Sequence, residues 1–191
     1  LTCTGKTALL PYFANALDLE GLAQHRGSLY GSIGLQPRTQ KAFDNLIFQR
    51  LEELQDEPFI IVEGESRKIG EVQIPLFFYR AMLKGTHVLV KRRIEVRVRE
   101  AVKEYFRPEN VEKIKEVTLS LFKILGHARK EEIVQLIDAE KYEEAARILL
   151  EEYYDPLYRH TLEKFQFLFE IKNDEVKEGA RELREKVKGL F

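Results

Sequence analysis

The segment Thr2-Cys3-Thr4-Gly5-Lys6-Thr7, followed at once by Ala8-Leu9-Leu10, constrains this chain more than any other stretch. A glycine, a lysine and a hydroxyl residue ahead of an apolar start are the last part of a loop that wraps a phosphate. Backbone N–H groups surround the anion, Lys6 brings a cation to the terminal phosphates, and Thr7 offers its hydroxyl to a bound magnesium. The segment reads as the C-terminal six residues of a P-loop whose first glycine falls two positions before Thr2. The chain begins at Leu1 without a methionine, which points to residues upstream. An ordinary turn that contains Gly-Lys-Thr is the competing reading of the hexapeptide taken alone.

A phosphate loop needs a carboxylate at the end of a neighbouring strand, because magnesium and its waters must be anchored opposite the phosphate. Residues 59–63, Phe-Ile-Ile-Val-Glu, followed by Gly64 and Glu65, supply a buried apolar run tipped with acids. Glu63 is the expected catalytic and magnesium-binding carboxylate, with Thr7 as its partner on the metal. Glu65 and Asp18 are the alternatives.

Residues 15–19, 59–63 and 87–91 read as short buried strands, each bounded by glycine, proline or charge. Helical spacing of apolar residues covers 39–54 and 94–106. Strands alternating with helices predict an α/β fold with a mostly parallel sheet and crossover helices. After Arg107 the pattern turns almost wholly helical, over about 109–125, 130–138 and 142–153. Residues 161–172 then alternate with a period of two through Phe165, Phe167, Phe169 and Ile171, which predicts a strand returning to the sheet. A last amphipathic helix, capped by Asn173 or Asp174, runs through Ala180, Leu183 and Val187. The expected organisation is a P-loop α/β domain over 1–106, a helical region over 107–160, and a strand plus helix over 161–191.

Further polar residues gather where a parallel sheet presents its ligand crevice. Asp18, Glu20, His25, Arg26 and Ser28 lie in a glycine-punctuated stretch after the first expected strand. His25 there either positions a ligand by hydrogen bonding or acts as a general base. Arg67-Lys68, Lys91-Arg92-Arg93, Arg97 and Arg99 form basic clusters, suited either to transferred charge and nucleic-acid backbone or to a solvated helix face. Tyr153, Tyr154 and Tyr158 suit base stacking or interhelix packing.

Composition removes several classes. Apolar residues make up 44% of the 191, with twelve Phe and eight Tyr, so the chain is not a disordered one. The longest apolar run, about residues 74–79, is far too short to span a membrane. Charge is balanced, with 31 Lys+Arg against 32 Asp+Glu, and by itself favours no polyanionic partner. One cysteine, Cys3, forms neither an intrachain disulfide nor a cysteine-rich zinc site, which suits a reducing, cytoplasmic setting.

These residues resemble a known family. Asp18-Leu19-Glu20-Gly21-Leu22-Ala23 with His25-Arg26-Gly27-Ser28, then Gln36-Pro37, Gln40-Lys41, Glu63, Glu65-Ser66-Arg67, Ile69-Gly70 and Ile74-Pro75, are similar to the P-loop domain of tRNA 2-selenouridine synthases. Arg97-Val98, Glu104-Tyr105, Leu125-Gly126, Leu149-Leu150, Tyr153-Tyr154-Asp155 and Tyr158 extend the resemblance over about residues 1–160.

The resemblance implies a transferase that acts on the wobble 2-thiouridine of tRNA. It replaces sulfur with selenium from selenophosphate through an S-geranyl intermediate made from geranyl diphosphate. It further implies a rhodanese domain, either upstream or as a separate polypeptide, because no such domain lies in this chain and Cys3 does not match its reactive cysteine. On that basis Thr2, Cys3, Thr4, Gly5, Lys6 and Thr7 would hold a diphosphate, and Lys6, Glu63 and Arg67 would serve its departure, with Arg92 as a second candidate. Asp18, Glu20, His25, Arg26, Ser28, Glu65, Ser66, Arg92, Arg93 and Arg97 would contact substrate or tRNA. An apolar groove for the geranyl chain is sought among Ile74, Leu76, Phe77, Phe78 and Met82. Two other readings fit the residues: an ATP-dependent small-molecule or nucleotide kinase, and a non-catalytic tRNA-binding subunit.

Overall fold

A computed structural model describes residues 1–121 and 124–190. The fold is α/β, and the chain divides into two compact units, one of residues Gly5–Thr86 with Ile171–Phe191 and one of Leu1–Thr4 with His87–Glu170. These limits follow the density of contacts, whereas the expected divisions at 106 and 160 follow composition.

The first unit opens with α1 (Lys6–Leu9) and a 3-10 turn at Leu10–Tyr12. Next comes β1 (Ala16–Leu17), which pairs in parallel with β2 (Ile61–Val62), Ala16 opposite Ile61 and Leu17 opposite Val62. Outside that ladder the Ile61 N–H donates to the Asn15 carbonyl, and Asn15 Nδ2 donates to the Phe59 carbonyl at 2.9 Å. The strand expected over 15–19 ends early because Asp18 turns the chain. Its carboxylate accepts the Gly21 N–H at 2.7 Å and caps α2 (Leu19–Ala23), a short helix within the glycine-punctuated stretch.

Between β1 and β2 runs α3 (Gln40–Glu53), capped by the Thr39 hydroxyl and buried through Phe43 and Ile47. An antiparallel hairpin, β3 (Lys68–Ile69) and β4 (Val72–Gln73), precedes α4 (Leu76–Lys84). Leu17, Leu19, Phe43, Ile47, Ile69, Ile74 and Phe78 form the core of this unit. Ile74 and Phe78, sought as groove residues, are therefore core. On the outer side Phe77 stacks on Phe48 with centroids 5.7 Å apart, beside an open cavity of about 570 Å³ lined also by Asn45, Gln49, Leu51 and Glu52.

The second unit is mostly helical. It comprises β5 (His87–Lys91), α5 (Ile94–Tyr105), α6 (Val111–Ser120), α7 (His127–Asp138) and α8 (Tyr142–Ile148), then a π-helical turn (Leu149–Tyr154) and α9 (Asp155–Leu162). The apolar faces of α6, α7, α8 and α5 pack in that succession, burying Ile114, Ile133, Ile137, Ala145, Val98 and Ala101. The helix expected over 109–125 is shorter, since α6 stops at Ser120, and residues 122 and 123 lie outside the described part.

The alternating stretch forms β6 (Phe167–Lys172), which pairs with β5. Beyond it α10 (Val176–Val187) returns to the first unit and packs on α1. Among the described residues no helix is long and apolar enough to cross a membrane.

Candidate functional site

The segment carrying the lysine and threonine has left-handed backbone at Cys3 (φ 58) and at Gly5 (φ 76), before α1 begins at Lys6. Glycine adopts that conformation without penalty, and it turns successive N–H groups toward one side of a loop. The Gly5 carbonyl accepts from Asn173 Nδ2 at 3.2 Å, and Asn173 is fully buried. The sequence suggested Asn173 only as a helix cap; the α10 N-cap is Glu175, and Asn173 instead braces the loop.

At α1 and α2 the first unit gathers four carboxylates with distinct duties. The Thr7 hydroxyl donates to Glu20 Oε2 at 3.0 Å. Lys6 Nζ pairs with Glu65 Oε1 at 3.4 Å, the two side chains 30% and 11% exposed. Glu20 and Glu65 converge over Gly27, where a Cβ would lie 2.5 Å from Glu65 Oε2 and 3.3 Å from Glu20 Oε1. Gly27 also has φ +65, so the position favours glycine for its backbone, and a Cβ there would have to displace the Glu65 carboxylate. Asp18 is committed to its cap.

Glu63 is 3% exposed. Its Oε1 accepts the Glu20 N–H at 2.8 Å, while Oε2 is buried without a hydrogen-bond partner. Burial pushes its carboxyl up to about 8, an effect that the Glu20 N–H only partly offsets. Glu63, expected to meet magnesium, thus touches backbone, and Glu20 is the acid in contact with Thr7.

His25 is nearly buried, and its Nδ1 accepts the Gly27 N–H at 3.2 Å. The ring lies so close to Gly31 and Gly70 that neither position has room for a side chain. Burial, then the neighbouring Arg26 charge, lower its pKa; this favours the neutral ring, whose Nδ1 accepts the Gly27 N–H. Arg26 Nη1 donates to the Ile33 carbonyl at 2.8 Å and closes the same loop. Ser28 accepts the Gly31 N–H through its carbonyl. In the turn before β3, Arg67 is exposed and Ser66 Oγ donates to the Lys68 carbonyl at 2.6 Å.

In the second unit Arg97 is 4% exposed. Its Nη1 and Nη2 reach the two Asp155 oxygens at 2.9 and 2.6 Å, and Nε donates to the Thr2 carbonyl at 2.9 Å. Sequence reasoning placed Arg97 with the tRNA-facing arginines, yet its guanidinium is spent inside the protein. Asp155 gave no signal of that partnership, because the two are distant in sequence. Arg93 is exposed at the start of α5 and Arg92 half-buried beside it. Tyr153 and Tyr154 are buried, and half-buried Tyr158 stacks on Tyr154 with centroids 6.4 Å apart, so the tyrosines pack on one another along the helix.

Magnesium at a phosphate takes one or two protein carboxylates, with waters and phosphate oxygens completing six ligands. Thr7 and Glu20, with Glu65 close by over the Gly27 cradle, fit that donor set. Among the described residues no cluster of three or more His, Cys, Asp or Glu side chains is built to hold a metal alone.

The chain is 32% identical to a tRNA 2-selenouridine synthase of Hydrogenovibrio crunogenus over 187 residues, taking in 86% of this chain and 52% of the synthase. It therefore spans about half the length of that relative. It is 30% identical to an uncharacterized protein of Methanocaldococcus jannaschii over 202 residues, which take in 98% of this chain and 88% of that protein. No solved structure matches. The family model described as the tRNA 2-selenouridine synthase AAA domain matches residues 1–121, and the chain belongs to that family.

Proposed function

We propose that this chain is the diphosphate-binding part of a tRNA-modifying transferase, one that converts wobble 2-thiouridine to 2-selenouridine through an S-geranyl intermediate. Its substrates are then geranyl diphosphate, selenophosphate and tRNA in the cytoplasm, and its partner is a rhodanese domain, upstream or on a separate chain. The observation that carries the reading is that Glu65, paired with Lys6, and Glu20, bonded to Thr7, converge over Gly27.

Loss of diphosphate from geranyl diphosphate needs charge neutralised on the leaving group, and the thiouridine sulfur is its own nucleophile. The protein's tasks are positioning and electrostatics. Backbone N–H groups of Gly5, Lys6 and Thr7 hold the phosphates, Lys6 exchanges Glu65 for phosphate oxygens, and Thr7 and Glu20 would hold magnesium. Magnesium held there would supply further positive charge at the diphosphate. His25 keeps the Gly27 turn in place. Arg92 and Arg93 are assigned to tRNA backbone, and the exposed Arg67 to substrate charge.

The test is release of pyrophosphate from geranyl diphosphate, with and without a 2-thiouridine tRNA. Release that requires the tRNA and vanishes in Lys6→Ala is expected. Magnesium-dependent ATP turnover without tRNA would favour the kinase reading. Salt-sensitive tRNA binding with no turnover that Lys6→Ala affects would leave a non-catalytic subunit.

A further inference from the structure

We propose that Glu63 is a positioning residue for Glu20: by accepting the Glu20 N–H it fixes the first turn of α2 where the Glu20 carboxylate meets the Thr7 hydroxyl. The proposal rests on the reading that Thr7 and Glu20 hold a metal at the diphosphate.

A helix as short as α2 does not form by itself, since its nucleus costs more than its few hydrogen bonds return. Its place is set by what takes its first N–H groups, which have no partner within the helix. Two side chains do so. Asp18 Oδ1 accepts the Gly21 N–H at 2.7 Å, and Glu63 Oε1 accepts the Glu20 N–H at 2.8 Å. The cap from Asp18 is local and turns with α2. Glu63 is not local: it follows β2, and the register of Leu17 opposite Val62 brings it beside Asp18 across the parallel pair. It therefore ties α2 to the core of the unit. The residue it grips is the one whose side chain reaches Thr7, with Glu20 Oε2 at 3.0 Å from Oγ1. One backbone hydrogen bond thus transmits the position of β2, packed against the core, to the carboxylate beside the phosphate loop. At 3% exposure, with Oε2 enclosed, Glu63 is placed to act through Glu20.

The experiment uses the whole chain with Mn2+ and inorganic pyrophosphate as probes. Mn2+ affinity in the presence of pyrophosphate is measured by electron paramagnetic resonance, and amide hydrogen exchange is followed at Glu20. Glu63→Leu removes the acceptor. It should cost about tenfold or more in Mn2+ affinity, the scale of lost outer-shell support, and speed exchange at the Glu20 amide. Glu63→Gln keeps an acceptor oxygen and should restore both to near the wild-type values. Glu63→Leu matching the wild type in both measurements would overturn the proposal. So would Glu63→Gln losing Mn2+ affinity while the Glu20 amide stays protected, because the Glu63 carboxylate would then be the ligand itself. If Glu63→Leu does not fold, Glu63→Gln decides between these outcomes. A wild-type chain that binds neither pyrophosphate nor Mn2+ would sink the diphosphate reading instead, and Glu20 amide exchange would still judge the positioning role.

Discussion

Glu65 lies so close over the backbone of Gly27 that a methyl group on that Cα would sit 2.5 Å from Oε2. The other oxygen of the same carboxylate faces Lys6 Nζ at 3.4 Å. Gly27 therefore sets how near the acid comes to the loop lysine, and its left-handed φ of +65 is the turn that permits it.

Gly27→Ala should damage both properties. A left-handed non-glycine residue costs roughly 1–2 kcal/mol. In a chain of this size that lowers Tm by about 2–4 °C for each kcal/mol. The added methyl also pushes Glu65 and Glu20 apart, so pyrophosphate affinity in the presence of magnesium should fall along with Tm. Calorimetric titration and thermal melting check the two effects separately; an unchanged affinity would show that the carboxylates need not converge for the anion to bind.

The Glu63 carboxyl, raised to about 8 by burial, predicts a specific dependence of stability on pH. Above about 4.5 the unfolded chain ionises this group while the folded protein keeps it protonated, so the folded state holds the extra proton. Its contribution is fully present below 4.5 and is lost as pH rises through about 8. The loss is at most about 1.4 kcal/mol per pH unit from a single group. Glu63→Gln is neutral in both states and should remove this slope. Denaturant unfolding at intervals from pH 5 to 8.5 measures the difference between the two proteins, and parallel curves would mean that the carboxyl is not desolvated.

Much of this arrangement is legible in the chain itself. The Gly5-Lys6-Thr7 signature locates the loop, the apolar run ending at Val62 locates β2, and helical spacing marks α3 and α5 closely. What stays hidden is which carboxylate does what. Glu63 sits at the tip of a strand, where a metal-binding acid is expected, but burial and the parallel register turn it toward the Glu20 N–H. Glu20 looks like one charge in a loop because α2 is too short and too dependent on its caps to give a periodic signal. The β3–β4 hairpin is equally silent, its strands being two residues each. Arg97 and Asp155, or Asn173 and Gly5, meet through tertiary folding alone, and no local pattern announces such pairs.

The pair of Arg97 and Asp155 yields the last prediction. Arg97 is buried, the Asp155 side chain is 25% exposed, and the guanidinium makes two bonds to the carboxylate and a third to the Thr2 carbonyl. Removing Asp155 strands a buried cation, and breaking such a pair costs about 3–5 kcal/mol when burial is complete and less when one partner is wet. Asp155→Asn should therefore destabilise clearly. Arg97→Lys should destabilise as well, because an ammonium cannot reproduce the planar fork and also reach Thr2. Arg97→Met removes the charge with its partner still present, and adding Asp155→Leu removes both. That double variant should recover stability relative to Asp155→Asn, since no unpaired charge remains. Melting of the four variants tests this, and a double variant no more stable than Asp155→Asn would show that the stranded guanidinium is not the source of the loss.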